Sequence, residues 1–504
     1  MEFSPDQEQA WSRAVALLRA AGVDVAGGAL LPEGGPQPTL AITGKAGSGK
    51  TMLLAELVGA LTAAGVEPVS TDYESRRARK RRTLAVLAPT NKAASVLRGR
   101  GVPATTIHRI LYTPLYAPEY EAIAEWLTGK ATRPQIDEIG DAALDRAEAS
   151  YRQHRSIPGA LASAGLRGSD FIRGWKRRED PLDIGLIDEA SMLDAKQYTD
   201  LREIFGTLIL FGDPAQLAPV GGSGEMIFET LPEAQRLHLA RVHRQAADNP
   251  ILDLAHALGD PDLEFERFEA MVEAAAARDS RVVIAPRVDA DAMARAPVLV
   301  WRNATRVRLI HAFRQAHGAP ADALLPGEPL VCDGIELPLK HRKRRMDLEA
   351  RGLVKGAQAV WLGPGKKPGF SRIHLLGADD PRFGVASIIQ IEAPDREEPL
   401  LASAASMGAV FLHGAAVTIH KAQGSQWPEV QVFAPDLYAA ARAGRTEAGL
   451  PLWKRLAYVA ITRAEHRLIW ATRYALSRPA APLTTDDLRA EIKPPALDTQ
   501  PAEG

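Results

Sequence analysis

The sequence predicts an α/β protein with two parallel sheets, each flanked by helices, and a smaller β-rich insertion. Three observations predict this fold class. Apolar strand segments run directly into polar loops in the first half of the chain, at 39–51, 183–193 and 207–220. The same pattern of strand, polar turn and helix returns at 296–313. Between Pro329 and Pro399, short apolar pieces alternate with Gly, Pro and charge, a spacing typical of a small β-barrel.

Composition limits the class of protein further. At ~150 residues per domain, 504 residues predict about three or four domains. No run approaches the ~18 consecutive apolar residues of a membrane span, and the first residues lack the basic and then apolar profile of a signal peptide. We therefore expect a cytoplasmic protein with no membrane partner. The single cysteine, Cys332, excludes an internal disulfide framework and argues against a cysteine-based metal site.

Three basic runs stand out against a net charge of -1, at 75–82, 173–178 and 340–345. Because the remainder is acid-rich, a nucleic acid partner could only be held by a local surface. Each run alone is equally consistent with a solvated loop. Three runs in one chain favour contact with a phosphate backbone.

The most informative segment is a glycine-rich loop between an apolar strand and a helix. It reads GKAGSGKT and fits the pattern G-x-x-x-x-G-K-[ST] of a phosphate-binding P-loop. Glycines let backbone N–H groups turn inward around a β-phosphate, and the N-terminus of the following helix favours the anion. Lys50 can reach the β- and γ-phosphate oxygens, and the Thr51 hydroxyl can bind Mg²⁺. The predicted cofactors are ATP and Mg²⁺, and the predicted ATP-binding residues of the loop are Gly44, Ala46, Gly47, Ser48, Gly49, Lys50 and Thr51.

Two further apolar strands end in polar residues that suit ATP hydrolysis. In DIGLIDEASML, Asp188 is expected to bind Mg²⁺ through water and Glu189 to polarise the attacking water. In TLILFGDPAQLAPV, Asp213 and Gln216 follow the strand where a γ-phosphate sensor would lie. Kinases and transport ATPases have no need of this last segment, which argues against both.

Other segments accompany these in a fixed order along the chain. They are FSPDQEQAW from Phe3, LAPTNKAASVL from Leu87, ATTIHRIL from Ala104, RVHRQAADNPI from Arg241, AVTIHKAQGSQW from Ala416 and LAYVAITRAEHRLIW from Leu456. Together with the P-loop, LIDEASML and LFGDPAQLAPV, they resemble the motifs of superfamily 1B helicases, and most closely those of RecD-like and phage Dda-like 5′-to-3′ DNA helicases. The resemblance runs from residue 3 to about residue 472. It implies two RecA-like domains with ATP in the cleft between them.

The resemblance also implies roles for individual residues. It places Gln7 at the adenine edge, and Arg244 and Arg463 on the γ-phosphate. The arginines have an independent rationale, because forked guanidinium donors neutralise charge on phosphoryl oxygens during transfer. Gly424 completes the expected ATP-binding set, whereas Gln426 stands where many relatives carry Glu. The expected DNA-binding residues are Pro89, Thr90, Asn91, Thr106, His108, Thr418 and His420.

The tripeptide Thr-Ile-His occurs twice, at 106–108 and at 418–420. Each copy places a hydroxyl and an imidazole on a loop, and such groups can bind sugar or phosphate without reading base sequence. Either the repeat is a coincidence of letters, or both copies hold the same single strand. In the second case, ATP-driven closure of the cleft would move one grip relative to the other.

The segment before LIDEASML is expected to form a pin-like hairpin with a helical extension. Strands are predicted at 110–116 and 170–178, and helices at 119–127 and 134–155. Aromatic side chains here could stack on bases as a wedge or could equally pack the helices onto the domain. The candidates are Tyr112, Tyr116, Phe171 and Trp175.

These segments together predict two RecA-like domains, each interrupted by an insertion. The first RecA-like domain comprises 1–110 and 183–235, with the pin-like insertion at 111–182. The second comprises 236–328 and 400–475, with an SH3-like β-barrel at 329–399. Residues 476–504, rich in Pro, Ala and acids, are expected to be a mostly disordered tail with one short helix at 485–492.

We therefore predict an ATP-dependent DNA helicase that translocates 5′ to 3′ on single-stranded DNA and acts as a monomer. Polarity follows from the resemblance alone. The expected partners are single-stranded DNA and its junctions with duplex, with a single-strand-binding protein or other replication and repair proteins as candidates. Two alternatives stay open, a superfamily 1B RNA helicase and a DNA-dependent ATPase switch that remodels complexes without strand separation.

Overall fold

The computed structural model contains two parallel sheets, each with helices packed against it. It describes residues 3–32, 34–69, 82–116, 118–136, 139–154, 160, 172–219, 225–240, 249–336, 347–349, 351–378, 380–395, 399–405, 407–447 and 449–489. The two sheets confirm the predicted fold class of two RecA-like domains, which we call the first and second lobes. Within the described ranges, no helix is long and apolar enough to cross a membrane.

The first lobe begins with helices that start at polar capping residues. Gln7 Oε1 accepts a hydrogen bond from the Ser4 N–H at 3.0 Å in the first helix. Thr90 Oγ1 accepts one from the Ala93 N–H at 3.1 Å in the third. The elements up to residue 111 are α1 (Pro5–Ala20), β1 (Val23–Asp24), β2 (Ala29–Leu30), β3 (Leu40–Gly44), α2 (Lys50–Ala63), β4 (Glu67–Pro68), β5 (Thr83–Ala88), α3 (Asn91–Gly99), β6 (Ala104–Thr106) and α4 (Ile107–Leu111).

A two-stranded antiparallel ribbon and two helices follow, in the region of the predicted pin. They are β7 (Tyr112–Tyr116), α5 (Pro118–Leu127), α6 (Asp141–His154) and β8 (Ile172–Arg177), with β7 paired to β8. Tyr112 is buried, and its hydroxyl donates to Asp200 at 2.5 Å, so this aromatic ring anchors the ribbon to the lobe. The side chains of Tyr116, Phe171 and Trp175 lie outside what the structure describes.

The rest of the first lobe completes a parallel sheet. Its elements are β9 (Leu182–Ile187), α7 (Ala195–Ile204), β10 (Phe205–Gly212), α8 (Ile227–Thr230) and β11 (Arg236–Leu239). The strand order is β11-β3-β10-β9-β5-β4, with β6 beside β5, and every pair is parallel. The predicted end of this domain at residue 235 is wrong, because β11 pairs with β3. β11 is short and partly exposed, so its sequence carries a weak strand signal.

The second lobe is interrupted by a six-stranded insertion. The lobe begins with α9 (Pro250–Ala257), α10 (Phe265–Arg278), β12 (Val282–Ala285), β13 (Val298–Val300) and α11 (Asn303–Ala316). The insertion contributes β14 (Pro329–Glu336), β15 (Gln358–Pro364), β16 (Phe370–Leu375), β17 (Arg382–Ile391), β18 (Leu400–Ala404) and β19 (Gly408–His413). The lobe then continues with β20 (Ala416–Thr418), α12 (Ile419–Ala422), β21 (Trp427–Phe433), α13 (Ala434–Arg442), β22 (Thr446–Glu447), β23 (Leu450–Pro451), α14 (Leu452–Ile461) and β24 (Ala464–Ala471). Its parallel sheet has the order β12-β24-β21-β13-β20.

Five strands of the insertion close into a ring, which we call the barrel. The ring runs β16-β15-β14-β19-β17 and closes because β17 also pairs with β16, while β18 adds to β17. Cys332 lies in its apolar core, and burial raises the pKa of this thiol to about 12. The predicted end of the insertion at 399 is wrong, because two later strands belong to it. β18 pairs with β17, and β19 pairs with β14 and β17. A likeness of the barrel to SH3 domains stays a prediction.

A buried charged cluster joins the barrel to the second lobe. Glu328 precedes β14 and His413 ends β19, so the chain enters and leaves the barrel at one place. The Glu328 carboxylate is 0% exposed and accepts hydrogen bonds from Arg314 Nε and His413 Nε2, each at 2.9 Å. Burial raises the pKa of Glu328, but the hydrogen bond from His413 and the charges of His413 and Arg314 outweigh it, so the pKa is lowered overall.

Replacing Glu328 with Ala should lower the free energy of unfolding by about 3–5 kcal/mol, because the buried Arg314 guanidinium loses its counter-ion. Urea denaturation followed by circular dichroism measures the change. Glu429→Ala is the matched control, because Glu429 pairs at 2.9 Å with the half-exposed Arg467. That change should cost no more than about 1 kcal/mol. Equal losses in the two variants would argue against an anchoring role for Glu328.

The chain after β24 packs on the second lobe as far as residue 489. Leu476 forms a backbone bridge with Val288, and Leu488 is buried. Arg295 Nε donates to Asp487 at 2.7 Å. The predicted disordered tail is therefore wrong for residues 476–489, where one ion pair and one buried apolar side chain fix a Pro-rich segment. The remaining tail residues, 490–504, lie outside the described part of the chain.

Candidate functional site

The residues predicted to act on ATP collect at a cleft between the two lobes. The loops after β3, β9 and β10 reach it from the first lobe, at the carboxyl edge where open parallel sheets bind ligands. The second lobe faces it with the loop after α12 and the end of α14. The cleft contains a cavity of about 640 Å³, which we call the ATP cavity after its predicted ligand. The predicted residues that line it are Ala46, Gly47, Gly49, Lys50, Thr51, Asp188, Glu189, Gln216, Gly424 and Arg463.

The P-loop has the backbone shape of a phosphate cradle. Gly47 and Gly49 have φ angles of 83° and 85°, in the left-handed region that favours glycine. α2 begins at Lys50, so the N–H groups of its first turn have no partner within the helix and can bind an anion. Lys50 Nζ donates to the carbonyls of Gly44 and Lys45, which holds the ammonium group at the loop.

Asp188 and Glu189 follow β9 and face the same cavity. Burial, and then the charge of Glu189, raise the pKa of Asp188 to about 7. Glu189 has a φ of 52° and is the one non-glycine with positive φ among the described residues, a strain that is typical of active sites. Gln216 Nε2 donates to Glu189 Oε2 at 3.0 Å. The segment after β10 therefore contacts the carboxylate directly.

Arg463 and Gly424 bring the second lobe to the cavity. The buried Arg463 guanidinium donates to the carbonyls of Val459 and Ser425 at 3.1 and 3.0 Å. Burial lowers its pKa, and the nearby charge of Glu189 opposes this shift. Gly424 has a φ of 72°, and a Cβ there would lie 2.9 Å from Thr90 Oγ1 of the first lobe. Glycine is therefore needed at this close approach of the two lobes.

Three of the described residues that were predicted to bind ATP do not line the cavity. Gly44 and Ser48 belong to the P-loop but do not line the cavity. Gln7 is fully buried, and its Nε2 donates to the Ser48 carbonyl at 3.0 Å. Its amide therefore supports the P-loop backbone. Arg244 lies outside the described residues.

The donor set at the P-loop fits a metal held together with a nucleotide. Mg²⁺ usually binds one or two protein groups and completes its shell with water and phosphate oxygens. Thr51 offers a hydroxyl and Asp188 a buried carboxylate, whose charge a cation would stabilise. No cluster of three or more His, Cys, Asp or Glu that could hold a metal occurs among the residues that the structure describes.

Sequence reasoning missed two residues at this cleft. Arg100 lines the cavity, and its charge acts to lower the pKa of Asp188. Tyr458 accepts a hydrogen bond from the Ala46 N–H and donates one to Asp213, each at 2.7 Å. Arg100 belongs to no motif. Tyr458 lies in the same motif-like segment as Arg463, and this was the one hint in the sequence. The contacts of Tyr458 become visible only when the two lobes are docked.

A second cavity of about 410 Å³ lies between the lobes and the barrel. Both imidazoles of the Thr-Ile-His repeat line it, because β6 leads into α4 and β20 into α12 in the same way. Burial lowers the pKa of His108 and of His420, which favours neutral rings that can donate or accept. Thr418 does not line this cavity and is buried at the start of α12. The predicted DNA-binding residues on its wall are Pro89, Thr90, Asn91, Thr106, His108 and His420.

Cationic side chains from both lobes and the barrel surround the second cavity. They are Lys92, Arg306, Lys355 and Lys421. Arg306 pairs with Glu392 at 2.6 Å and Lys355 with Asp333 at 3.7 Å, so part of this charge is already balanced. The remaining positive charge suits a phosphate backbone. Arg177 of the run at 173–178 does not line this cavity and pairs with Asp200 and Glu203 instead. Residues 75–81 and 340–345 of the other runs lie outside the described ranges.

Comparison with family models fits the order of these sites along the chain. The model described as an AAA domain matches residues 35–280, which include the P-loop. The model described as a UvrD-like helicase C-terminal domain matches residues 413–470, which include His420 and Arg463. An AAA-domain match followed by a helicase C-terminal match identifies the chain as a helicase. The helicase is an ATP-hydrolysing enzyme.

The helicase is also similar to solved structures. Pif1 from Bacteroides bound to ssDNA is 12% identical with a TM-score of 0.48, over 94% of this chain and 92% of that one. Pif1 helicase from Candida albicans is 15% identical with a TM-score of 0.45, over 94% and 95%. Pif1 helicase from Bacteroides in complex with ADP-AlF3 and ssDNA is 12% identical with a TM-score of 0.45, over 97% of each chain. No curated protein matches the chain.

Proposed function

We propose that the helicase uses ATP and Mg²⁺ to move 5′ to 3′ along single-stranded DNA and to separate the duplex ahead. One observation carries the proposal: the two cavities share the same two lobes and the same two segments. Ala93, Gly424 and Gln426 line the cavity at the P-loop. Their chain neighbours line the second cavity, namely Asn91, Lys92, Gln423 and Ser425. A change in the distance between the lobes at the P-loop therefore changes the distance between His108 and His420.

Residues of both lobes would act on the γ-phosphate. Lys50 and the P-loop N–H groups hold the phosphates, while Arg463 and Arg244 neutralise charge that develops during transfer. Glu189 polarises the attacking water, and Gln216 keeps that carboxylate oriented. A Mg²⁺ ion held by Thr51 and Asp188 would supply further charge neutralisation.

The second cavity would hold one DNA strand by its sugar and phosphate groups. His108 and His420 supply hydrogen bonds from opposite lobes, and the surrounding lysines supply charge, without any reading of base sequence. Closure of the cleft on ATP brings the two grips together, and opening after hydrolysis separates them. Alternation of the tighter grip between the lobes makes these movements directional. The 5′-to-3′ direction follows the resemblance of the motifs.

A paired-substrate assay tests this proposal against its alternatives. Duplexes of identical sequence are prepared in DNA and in RNA, each with a single-stranded 5′ tail, and strand release is followed by fluorescence with ATP and with ADP. We expect release from the DNA duplex with ATP only. Release from RNA alone would assign an RNA helicase. ATP hydrolysis that DNA stimulates, without release of either strand, would assign an ATPase switch.

Replacing His108 or His420 with Ala should each weaken binding of single-stranded DNA about fivefold, the loss expected for one hydrogen bond of ~1 kcal/mol. Fluorescence anisotropy with a labelled oligothymidine measures the dissociation constant. His466→Ala is the control, because His466 is exposed on β24 and lines neither cavity. If either histidine variant binds like the His466 variant, that copy of Thr-Ile-His is a coincidence.

A further inference from the structure

One tyrosine connects three predicted motifs across the cleft. The Tyr458 hydroxyl, on α14 of the second lobe, accepts from the Ala46 N–H of the P-loop and donates to Asp213 Oδ2 after β10, each at 2.7 Å. A hydroxyl has one proton and two lone pairs, so this arrangement uses its donor and one acceptor position. Tyr458 is 1% exposed and does not line the ATP cavity, so it reaches this cavity only through its two partners.

Both partners of Tyr458, Ala46 and Asp213, line the cavity predicted to bind ATP. Ala46 lines the cavity and belongs to the loop whose N–H groups would cradle phosphate. Asp213 stands three residues before Gln216, whose amide donates to Glu189 at 3.0 Å. The hydroxyl of the second lobe therefore connects the phosphate-binding loop to the segment that orients the predicted water-activating carboxylate.

Other contacts fix the position of this connection. On the same helix, the buried Arg455 donates to the carbonyls of Pro214 and Gln216, so α14 holds the segment after β10 at two places. His256 Nε2 lies 3.3 Å from the Ala46 carbonyl oxygen, so the second lobe contacts both polar groups of the Ala46 residue. Small movements of the second lobe thus reach the P-loop backbone directly through the side chains of Tyr458 and His256.

We propose that Tyr458 is a positioning residue for ATP turnover, which aligns the P-loop with the Asp213–Gln216 segment when the second lobe docks. This inference rests on the proposed function, because it assigns the hydrolytic roles of Glu189 and Gln216. Removal of the hydroxyl leaves the ring in place and breaks only the connection. Bound nucleotide would still meet the P-loop, but Gln216 and Glu189 would no longer be held in register with it.

The test compares Tyr458→Phe with the unchanged protein in full-length form. We expect kcat for ATP hydrolysis with oligothymidine to fall about tenfold, which corresponds to ~1.4 kcal/mol for one hydrogen bond to a charged group. The dissociation constant for ADP, measured with a fluorescent analogue, should stay within about twofold, and the melting temperature should fall by no more than a few degrees. Tyr438→Phe is the control, because Tyr438 is exposed on α13 of the same lobe.

A double-mutant cycle separates positioning from general packing. If Tyr458 acts through Asp213, the variant Tyr458→Phe/Asp213→Ala should turn over ATP no more slowly than Asp213→Ala alone. An unchanged kcat in Tyr458→Phe overturns the proposal, and so do equal losses in kcat, ADP affinity and melting temperature, which indicate packing. The unchanged protein reports separately on the proposed function: if DNA does not stimulate its ATP hydrolysis, that function fails.

Discussion

Replacing Lys50 with Ala is expected to abolish ATP turnover while DNA binding stays measurable. The Lys50 ammonium group is held at the P-loop by two backbone carbonyls and faces the ATP cavity, where it meets charge that grows on the phosphate oxygens. Loss of one such preorganised group typically costs about 10²–10³ in rate. A coupled ATPase assay with oligothymidine, together with anisotropy for DNA binding, measures both effects.

Lys130→Ala is the control for the Lys50 variant, because Lys130 is exposed in the turn after α5 and lines neither cavity. It should keep the ATPase rate of the unchanged protein. Turnover retained by Lys50→Ala would contradict the assignment of the P-loop as the ATP site. Loss of both turnover and DNA binding would show that the substitution damages the fold rather than the reaction.

Removal of the Arg463 side chain is expected to reduce hydrolysis far more than nucleotide binding. Among the residues that the structure describes, Arg463 is the arginine by which the second lobe lines the cavity at the P-loop. Arginines that stabilise phosphoryl transfer can contribute about 10³-fold or more in rate. Single-turnover hydrolysis should therefore fall about 10³-fold in Arg463→Ala, whereas the dissociation constant of a non-hydrolysable ATP analogue should rise less than about tenfold.

Two further variants refine the Arg463 experiment. Arg463→Lys keeps the charge but not the forked donors, so most of the loss should remain. Arg467→Ala, four residues further along, removes a half-exposed arginine that pairs with Glu429 at 2.9 Å, and its rate should be unchanged. Equal losses of binding and hydrolysis in Arg463→Ala would indicate a collapsed cleft, because this guanidinium also binds the Ser425 carbonyl.

Features that depend on local backbone chemistry could be predicted from the sequence. The P-loop requires glycine at 47 and 49 because both have positive φ, and this requirement is visible in the letters. Asp188 and Glu189 follow a strand of aliphatic residues that can only be buried. Each prediction concerns residues that are neighbours in sequence, so propensity and spacing were sufficient.

Features that depend on docking could not be predicted in the same way. The Tyr458 hydroxyl bridges Ala46 and Asp213, which are more than 200 residues away in sequence, and no local pattern marks that meeting. β11 joins the first sheet although its sequence is partly polar. The segment up to residue 489 is ordered by the Arg295–Asp487 pair, which its Pro-rich composition does not reveal.

The most direct measurement of the central claim is strand release from two DNA substrates that differ only in tail polarity. Both carry the same duplex and a tail of the same length, one at the 5′ end and one at the 3′ end, and Lys50→Ala serves as the inactive reference. The proposed mechanism predicts ATP-dependent release from the 5′-tailed duplex and none from the 3′-tailed duplex. Release from the 3′-tailed duplex alone would contradict the proposed direction, and release from neither would contradict the coupling of the two cavities to strand separation.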